Sequence, residues 1–363
     1  MATSKKSDLW SLTPFEQWVE EEGLPVITQQ YIYDVREVKL APWKRTGCSG
    51  AILDVEADPL PDARVSRGST TAYLCDIPPK GTFKAEKHLY EEVIYVVKGM
   101  GAASIWNEGG KKQTFEWQEG SLFAPPLNAW HELYNGQANE TARLLVYTNA
   151  PSVIQLYRSR DFIYNNPHTF AERFSGEESD YFNPKGKKLE ARFLETNFVP
   201  DLKSTQLDTW SQRGPGANMM FLMADNGLMA HVSEFPVGGY KKAHSHIQAR
   251  SGGGGTALIY ILSSKGYDLQ WPPDEPEKRE KIPWKDGTFC TACHGYHQHF
   301  NTGPVPARYL AFRTGNPRYS GAMGTRYKLT GGEQIEFENE DPVVRAEFIE
   351  ELKKEGIPFA GVG

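Results

Sequence analysis

Apolar positions along this chain fall in short blocks cut by glycine, proline and acidic residues. Thr71-Ala72-Tyr73-Leu74-Cys75-Asp76-Ile77 is one block, closed by Pro78-Pro79-Lys80-Gly81. Val93-Ile94-Tyr95-Val96-Val97 is a second, closed by Lys98-Gly99. Ser121 to Ala124, Ala142 to Tyr147 and Leu258 to Leu262 follow the same form. Such runs, rich in β-branched and aromatic residues and bounded by turn formers, predict strands. Helix is legible only near the two ends. Thr13-Pro14-Phe15-Glu16 is a capping box, with Thr13 as cap and Glu16 three positions on, opening a helix that stops near Gly23. Asp341-Pro342 opens a second helix, through Arg345, Phe348 and Leu352 to Gly356. Residues 151–215 read as a connector carrying short elements.

The strand pattern occurs twice. Leu258 to Gly266 repeats Val93 to Gly99, Trp271 repeats Trp106, Trp284-Lys285-Asp286-Gly287 repeats Trp117-Gln118-Glu119-Gly120, and Ala307-Arg308 repeats Ala142-Arg143. His297 and Asn301 repeat His131 and Asn135. The offset stays between 165 and 167 residues at all these landmarks, which marks an internal duplication. The expected organisation is an N-terminal arm with a helix over 1–64, a β domain over 65–150, the connector over 151–215, a second β domain over 216–320, and a helical extension over 321–363.

Composition agrees with two β units. The 363 residues hold 34 Gly and 24 Pro with 12% aromatics, the makings of many turns and aromatic walls. With 40 basic against 46 acidic side chains, the net charge of −6 argues against a nucleic-acid partner. No apolar run is long enough to cross a bilayer. The first residues carry two lysines without an apolar stretch behind them, so no secretory signal is expected and a cytoplasmic location is. The 4 cysteines are too few for a disulfide scaffold.

The histidines are unevenly placed. His244-Ser245-His246 puts two imidazoles on one face of a strand, because strand side chains alternate with a period of two. His297 supplies a third from another strand, completing a facial donor set with open positions. In the first copy, Glu86 and His88 share a face, and Glu92 and His131 can join them. His299 lies on the same face as His297 if the strand is regular, so it is a candidate to support the metal or touch substrate.

These residues resemble the two conserved motifs of the cupin superfamily. The first motif has Gly, five residues, His-x-His, three or four residues, Glu, six residues and Gly. The second has Gly, five residues, Pro-x-Gly, two residues, His, three residues and Asn. The first copy matches both, save for Glu86 in place of the first His and Asn128 in place of a Gly. The second copy keeps His244, His246, His297 and Asn301 but lacks the Glu, with Ala257 near that position, a lengthened loop at Ser251–Gly255 and Cys293 in place of the Pro. The chain thus resembles a bicupin over roughly residues 65–150 and 216–320, which implies an all-β fold of two tandem jelly-roll barrels (double-stranded β-helices) with short terminal helices.

The resemblance implies a divalent metal, Fe(II) first and Mn(II) as the alternative. In the second barrel His244, His246 and His297 would hold it. In the first, His88, Glu92 and His131 would do so, with Glu86 as a fourth donor, a relic of a lost first ligand, or a salt-bridge partner of Lys84 or Lys87, and that site is open to a structural role. A three-histidine site without the Glu is similar to gentisate-type ring-cleaving dioxygenases. The leading expectation is therefore an Fe(II) dioxygenase, with dioxygen and a phenolic, hydroxy-aromatic acid or enolisable substrate. The alternative is a non-oxygenase cupin metalloenzyme, such as a decarboxylase, isomerase, lyase or hydrolase, since fold does not decide chemistry. A non-enzymatic binding or storage protein is the third reading. Arg250, Arg308 and Arg313 are candidates to meet an acidic substrate, and exposed sheet edges favour a homo-oligomer.

Two further motifs are set aside. Cys290-Thr291-Ala292-Cys293-His294 has the spacing of a haem attachment site, yet aligns with strand residues of the first copy and reads as core thiols. Gly252 to Gly255 is followed by neither the Lys nor the helix of a phosphate loop and reads as a loop over the second metal mouth or a plain surface loop.

Overall fold

The structure is a computed structural model and describes residues 12–55, 69–190, 192–245, 257–292, 295–320 and 333–362. The sites at 246, 250 and 293, and the glycine run at 252–255, lie outside the described residues.

Each half of the chain folds into two sheets facing one another. In the first barrel, Thr71–Ile77, Ala142–Thr148, Glu92–Lys98 and Leu122–Phe123 are neighbours in the large sheet, in that order. The facing sheet runs Thr82–Glu86, Trp130–Asn135, Met100–Trp106, Gln113–Gln118. The second barrel repeats both orders. Its large sheet runs Leu228–Phe235, Ala307–Thr314, Leu258–Ser263, Phe289–Thr291, and its small sheet His244–Ser245, Tyr296–Asn301, Lys265–Trp271, Glu280–Lys285. The strands expected from the sequence thus form, in an all-β fold of two jelly-roll barrels. Strands from before residue 65, Val26–Gln29 and Cys48–Val55, extend the first large sheet.

The duplication reaches individual hydrogen bonds. Asn135 Nδ2 donates to the carbonyls of Pro78 and Glu140, and Asn301 Nδ2 donates to those of Pro236 and Val305. Each asparagine fixes the turn that leads into its barrel's first inner strand. In that turn Lys80 (φ 55°) adopts the left-handed conformation that Gly238 (φ 64°) adopts in the second copy. The position thus carries a side chain in one copy and none in the other, although the left-handed region ordinarily favours glycine.

The outer faces of the two large sheets pack together into one apolar layer. Tyr95 meets Tyr260 at 5.0 Å between ring centroids, and Tyr147 stacks on Phe312 at 5.4 Å. The barrels also exchange edge strands. Tyr31–Ile32, from ahead of the first barrel, pairs with Phe289–Thr291 of the second. Phe198–Val199, from ahead of the second barrel, pairs with Leu122–Phe123 of the first. Two arginines grip these crossing arms. Arg143 is held by Asp76 and donates to the carbonyls of Val35 and Arg36 at 2.7 Å. Arg308 is held by Glu234 and donates to the carbonyls of Leu202, Lys203 and Thr205. Glu91 of the first barrel accepts the backbone N–H of Gly227 and Leu228 at the head of the second, and pairs with Arg173 at 3.0 Å.

Both terminal helices form as the sequence predicts. Pro14–Glu22 is closed by the Thr13–Glu16 capping box and by Gly23 at φ 72°, and buries Phe15, Trp18 and Val19. Pro342–Glu355 is capped by Asp341 and Gly356 and lays Val344, Phe348 and Leu352 over Tyr240 and Phe300 on the outside of the second small sheet. Residues 151–215 carry the helices Ala150–Tyr157 and Arg160–Tyr164 and several two- or three-residue strands.

Candidate metal centres

Cross-strand pairing places the expected ligands face to face. In the first barrel Glu86 pairs with His131, and in the second His244 pairs with His297. The ligand atoms of Glu86, His88 and His131 all lie within 4.8 Å of one another, and so do those of His244, His297 and His299.

In the first barrel, His88 Nδ1 donates to the carbonyl of Tyr90 at 2.8 Å and His131 Nδ1 to that of Ala129 at 3.2 Å. Both Nε2 atoms are buried and have no hydrogen-bond partner among the described residues, so each ring turns a lone pair toward the same point. This is the arrangement a metal-ligating imidazole needs, with one nitrogen fixed by a carbonyl and the other presented as a donor. Burial, and then the neighbouring His88, push the His131 imidazole down to about 4, so the ring is neutral and ready to ligate at ordinary pH. Glu92 Oε2 stands 3.6 Å from His88 Nε2, and Glu92 Oε1 accepts the Tyr73 hydroxyl at 2.8 Å. Burial works to raise the Glu92 pKa, but the adjacent His88 and His131 rings and the Tyr73 hydroxyl outweigh it and hold the carboxyl below its usual range.

Glu86 is engaged elsewhere. Its Oε2 is bound by Arg45 Nη1, whose Nε is bound by Glu22 Oε2 at 3.0 Å. The guanidinium lies over Trp43 at 5.0 Å and Tyr164 at 4.9 Å. The Glu86 partner is therefore neither Lys84 nor Lys87, and Lys87 pairs with Glu108 at 3.3 Å. A cation on Glu86 repels a metal and occupies one of the lone pairs that a metal would use.

The second barrel is built differently. His244 Nδ1 donates to the carbonyl of Lys242 at 3.1 Å. His299 Nδ1 donates to Asp268 Oδ1 at 2.8 Å, and that same oxygen accepts the Trp284 indole N–H at 2.7 Å. Asp268 and His299 are both almost wholly buried. A carboxylate behind an imidazole fixes its tautomer and raises its basicity, a common support for a metal-ligating histidine. Burial, followed by the charges of His299, Arg213 and Arg313, drives His297 well below its usual value, so it too is a neutral donor.

The difference extends below the ligands. Register aligns Cys75 and Leu144 of the first barrel with Ser233 and Tyr309 of the second. It likewise aligns Leu133 and Ala103 with His299 and Asp268. Phe83 faces Leu133, and Lys241, whose backbone N–H donates to the His299 carbonyl at 3.0 Å, stands in its place. An apolar plug in one barrel is thus a polar chamber in the other. Burial, then Arg213 and Arg192, push the Lys241 ammonium down to about 7.

His244, His297 and His299 of the expected residues come together in the second barrel, and Glu86, His88 and His131 in the first, with Glu92 beside His88. The promotion of His299 is the change. The sequence offered it as a supporting residue, and the structure puts its ring among the ligand atoms. His246 and Arg250 lie outside the described residues. Arg313 is close enough to lower His297 and His231 by its charge. Arg308 is spent on Glu234 and three carbonyls of the crossing arm, which corrects its assignment to substrate. Asp268, Lys241 and Arg45 escaped the sequence reading. Aligning the two copies at the repeat offset sets Asp268 against Ala103, a usable signal for the first of them. Arg45 sits in the arm, outside both motifs.

Comparison with known proteins returns the same architecture. A family model described as Cupin matches residues 50–176. No curated protein sequence matches the chain. Among solved structures, a tryptophan-to-tyrosine variant of Bacillus subtilis oxalate decarboxylase is similar with a TM-score of 0.51 and 13% identity, covering 86% of this chain and 87% of that one. A structure from work on the Mn(II) centres of the same enzyme is similar with a TM-score of 0.50 and 14% identity, covering 80% and 78%. Its form at pH 4.6 gives a TM-score of 0.50 and 14% identity over 80% and 77%. With both barrels built on one strand order and the first matched by the cupin model, the chain has the bicupin fold.

Proposed function

We propose that the protein is a divalent-metal enzyme of the non-oxygenase cupin type, with its working centre in the second barrel and Mn(II) preferred to Fe(II). The observation that carries the reading is the convergence of His244, His297 and His299, with His299 backed by the buried Asp268. Three imidazole donors suit Mn(II) or Fe(II), and they leave coordination positions for a small molecule. The similarity in fold to Mn(II) oxalate decarboxylase supports manganese and a lyase-type reaction over oxygen chemistry.

When bound, the metal supplies a Lewis acid that polarises a substrate oxygen and holds it in place. The protein supplies the rest. Asp268 keeps His299 in the tautomer with Nδ1 protonated, and the Lys242 carbonyl does the same for His244. Both sheets shield the chamber, since Tyr309, Ser233 and Gln270 are all nearly inaccessible, and exclusion of water strengthens each polar contact within. The first barrel, with Glu86 tied to Arg45, is assigned a metal of structural or weaker character.

The dioxygenase reading keeps one supporting observation, the all-histidine donor set of the second barrel. Metal content by mass spectrometry, then parallel records of dissolved oxygen and released carbon dioxide, distinguish the two. Small carboxylic acids, catechols, gentisate and β-diketones are the substrates to offer. Turnover without oxygen uptake is the expected result. Oxygen consumed in step with a phenol or diketone overturns the reading in favour of the dioxygenase, and a protein that takes up no divalent metal overturns both.

A further inference from the structure

Lys241 is a lysine inside a barrel. It is 3% exposed, and its Nζ donates to Ser233 Oγ. No carboxylate among the described residues pairs with it. The ammonium faces the aromatic rings of Phe235 and Tyr309, each 5.4 Å from Nζ to ring centroid. Tyr309 lies between two worlds, because its ring is also 4.9 Å from the ring of His299. Lys241 is tied to His299 again through the backbone bond from its N–H. The ammonium and the metal-facing imidazole therefore share one wall.

A buried ammonium without a carboxylate is expensive to keep, and the corresponding position in the first barrel shows the inexpensive alternative, Phe83 packed in the core. The buried carboxylate of the chamber, Asp268, is already bonded to His299 and Trp284, and arginines lie near enough to add positive charge. Arg213 and Arg192 act on Lys241, and Arg313 acts on His231 and His297. A cation held in a dry interior without a carboxylate favours an anion beside it, since the anion provides the missing counter-charge.

From this geometry we infer that Lys241, with the hydroxyls of Ser233 and Tyr309 beside it, is an anion subsite of the second barrel, and that the molecule held at the histidine centre carries a carboxylate. This rests on the metal reading above and adds a residue and a substrate class to it. Lys241 touches the ligand's carboxylate and is a specificity residue. It takes no part in holding the metal.

The test uses the full chain loaded with Mn(II) and freed of excess metal, titrated calorimetrically with formate, malonate and benzoate, and with malonamide as the uncharged control. Lys241→Met is expected to weaken the best carboxylate at least tenfold, to leave Mn(II) stoichiometry intact, and to raise the melting temperature by removing a buried charge. Lys241→Arg is expected to retain most of the affinity. Carboxylate affinity unchanged within twofold in Lys241→Met, or no carboxylate bound by the unaltered protein, overturns the proposal. So does a loss of fold in both variants, which makes Lys241 a structural residue. The metal reading is judged separately, by whether His299→Ala and His244→Ala lower Mn(II) stoichiometry. If they do not, and a Lys241-dependent affinity persists in metal-free protein, the metal reading fails and the anion subsite stands.

Discussion

His299 gives its Nδ1 proton to Asp268 across 2.8 Å, while the matching pair in the first barrel is Leu133 facing Ala103. The second copy thus sets a carboxylate behind His299, where the first has plain packing at the same positions. Asp268→Ala is expected to lower the Mn(II) affinity of the second barrel by about 10–100-fold, the usual loss when the group behind a ligating histidine is removed. Trp284→Phe, which deletes a single bond to the same carboxylate, has a smaller effect. Competition against a fluorescent chelator measures both. Equal affinities in Asp268→Ala and the parent remove Asp268 from the centre.

Arg45 sets the fate of the first barrel. Its guanidinium neutralises Glu86, so Arg45→Met is expected to release that carboxylate and raise the affinity of the first centre for Mn(II) by about tenfold or more, given an interaction of a few kcal/mol between close charges near a protein surface. Metal per chain at limiting Mn(II) should rise in Arg45→Met and fall again in the double variant with His88→Ala. A first centre that binds equally well with and without Arg45 contradicts this account.

Glu91 is a hinge pin between barrels. Glu91→Ala leaves the N–H groups of Gly227 and Leu228 and the guanidinium of Arg173 without their acceptor. Loss of a shared buried acceptor costs about 2–4 kcal/mol. Urea denaturation should shift accordingly, with the two barrels beginning to melt apart. An unchanged single transition shows that the apolar layer and the exchanged strands couple them without Glu91.

Arg308 and Arg143 belong to the framework. Arg308→Met is expected to lower stability by about 1–3 kcal/mol through the loss of hydrogen bonds from a charged donor, with KM for any substrate unaffected in the folded fraction. A rise in KM without a fall in melting temperature would return Arg308 to the substrate.

Much of this was legible in the chain itself. The strands, both helix caps and the duplication follow from local pattern, because short apolar runs and turn formers act over a few residues. The histidines were readable because alternation on a strand sets which side chains share a face. His299 was open to the same logic, two positions from His297. Lys241 and Asp268 were not read, since each acquires meaning only from its cross-strand neighbour, and that register emerges after the sheet is built. Arg45 is more remote still, brought to Glu86 from the arm by the packing of Trp43 and the turn at Thr46. The exchanged edge strands are two residues long, below any periodicity a sequence can display.

That exchange has a consequence for how the molecule is made. Thr288 and Tyr33, bonded beside the crossing arm, are 255 positions apart in the chain. The arm leaves the ribosome long before its partner strand exists. The first barrel likewise waits for Phe198–Val199 to close its edge. Neither half is a separable module, and a fragment cut between the repeats would present an open strand to whatever chain it meets next. The connector closes the first barrel and the arm made before it closes the second, so both edges are covered only once the chain has reached Thr291.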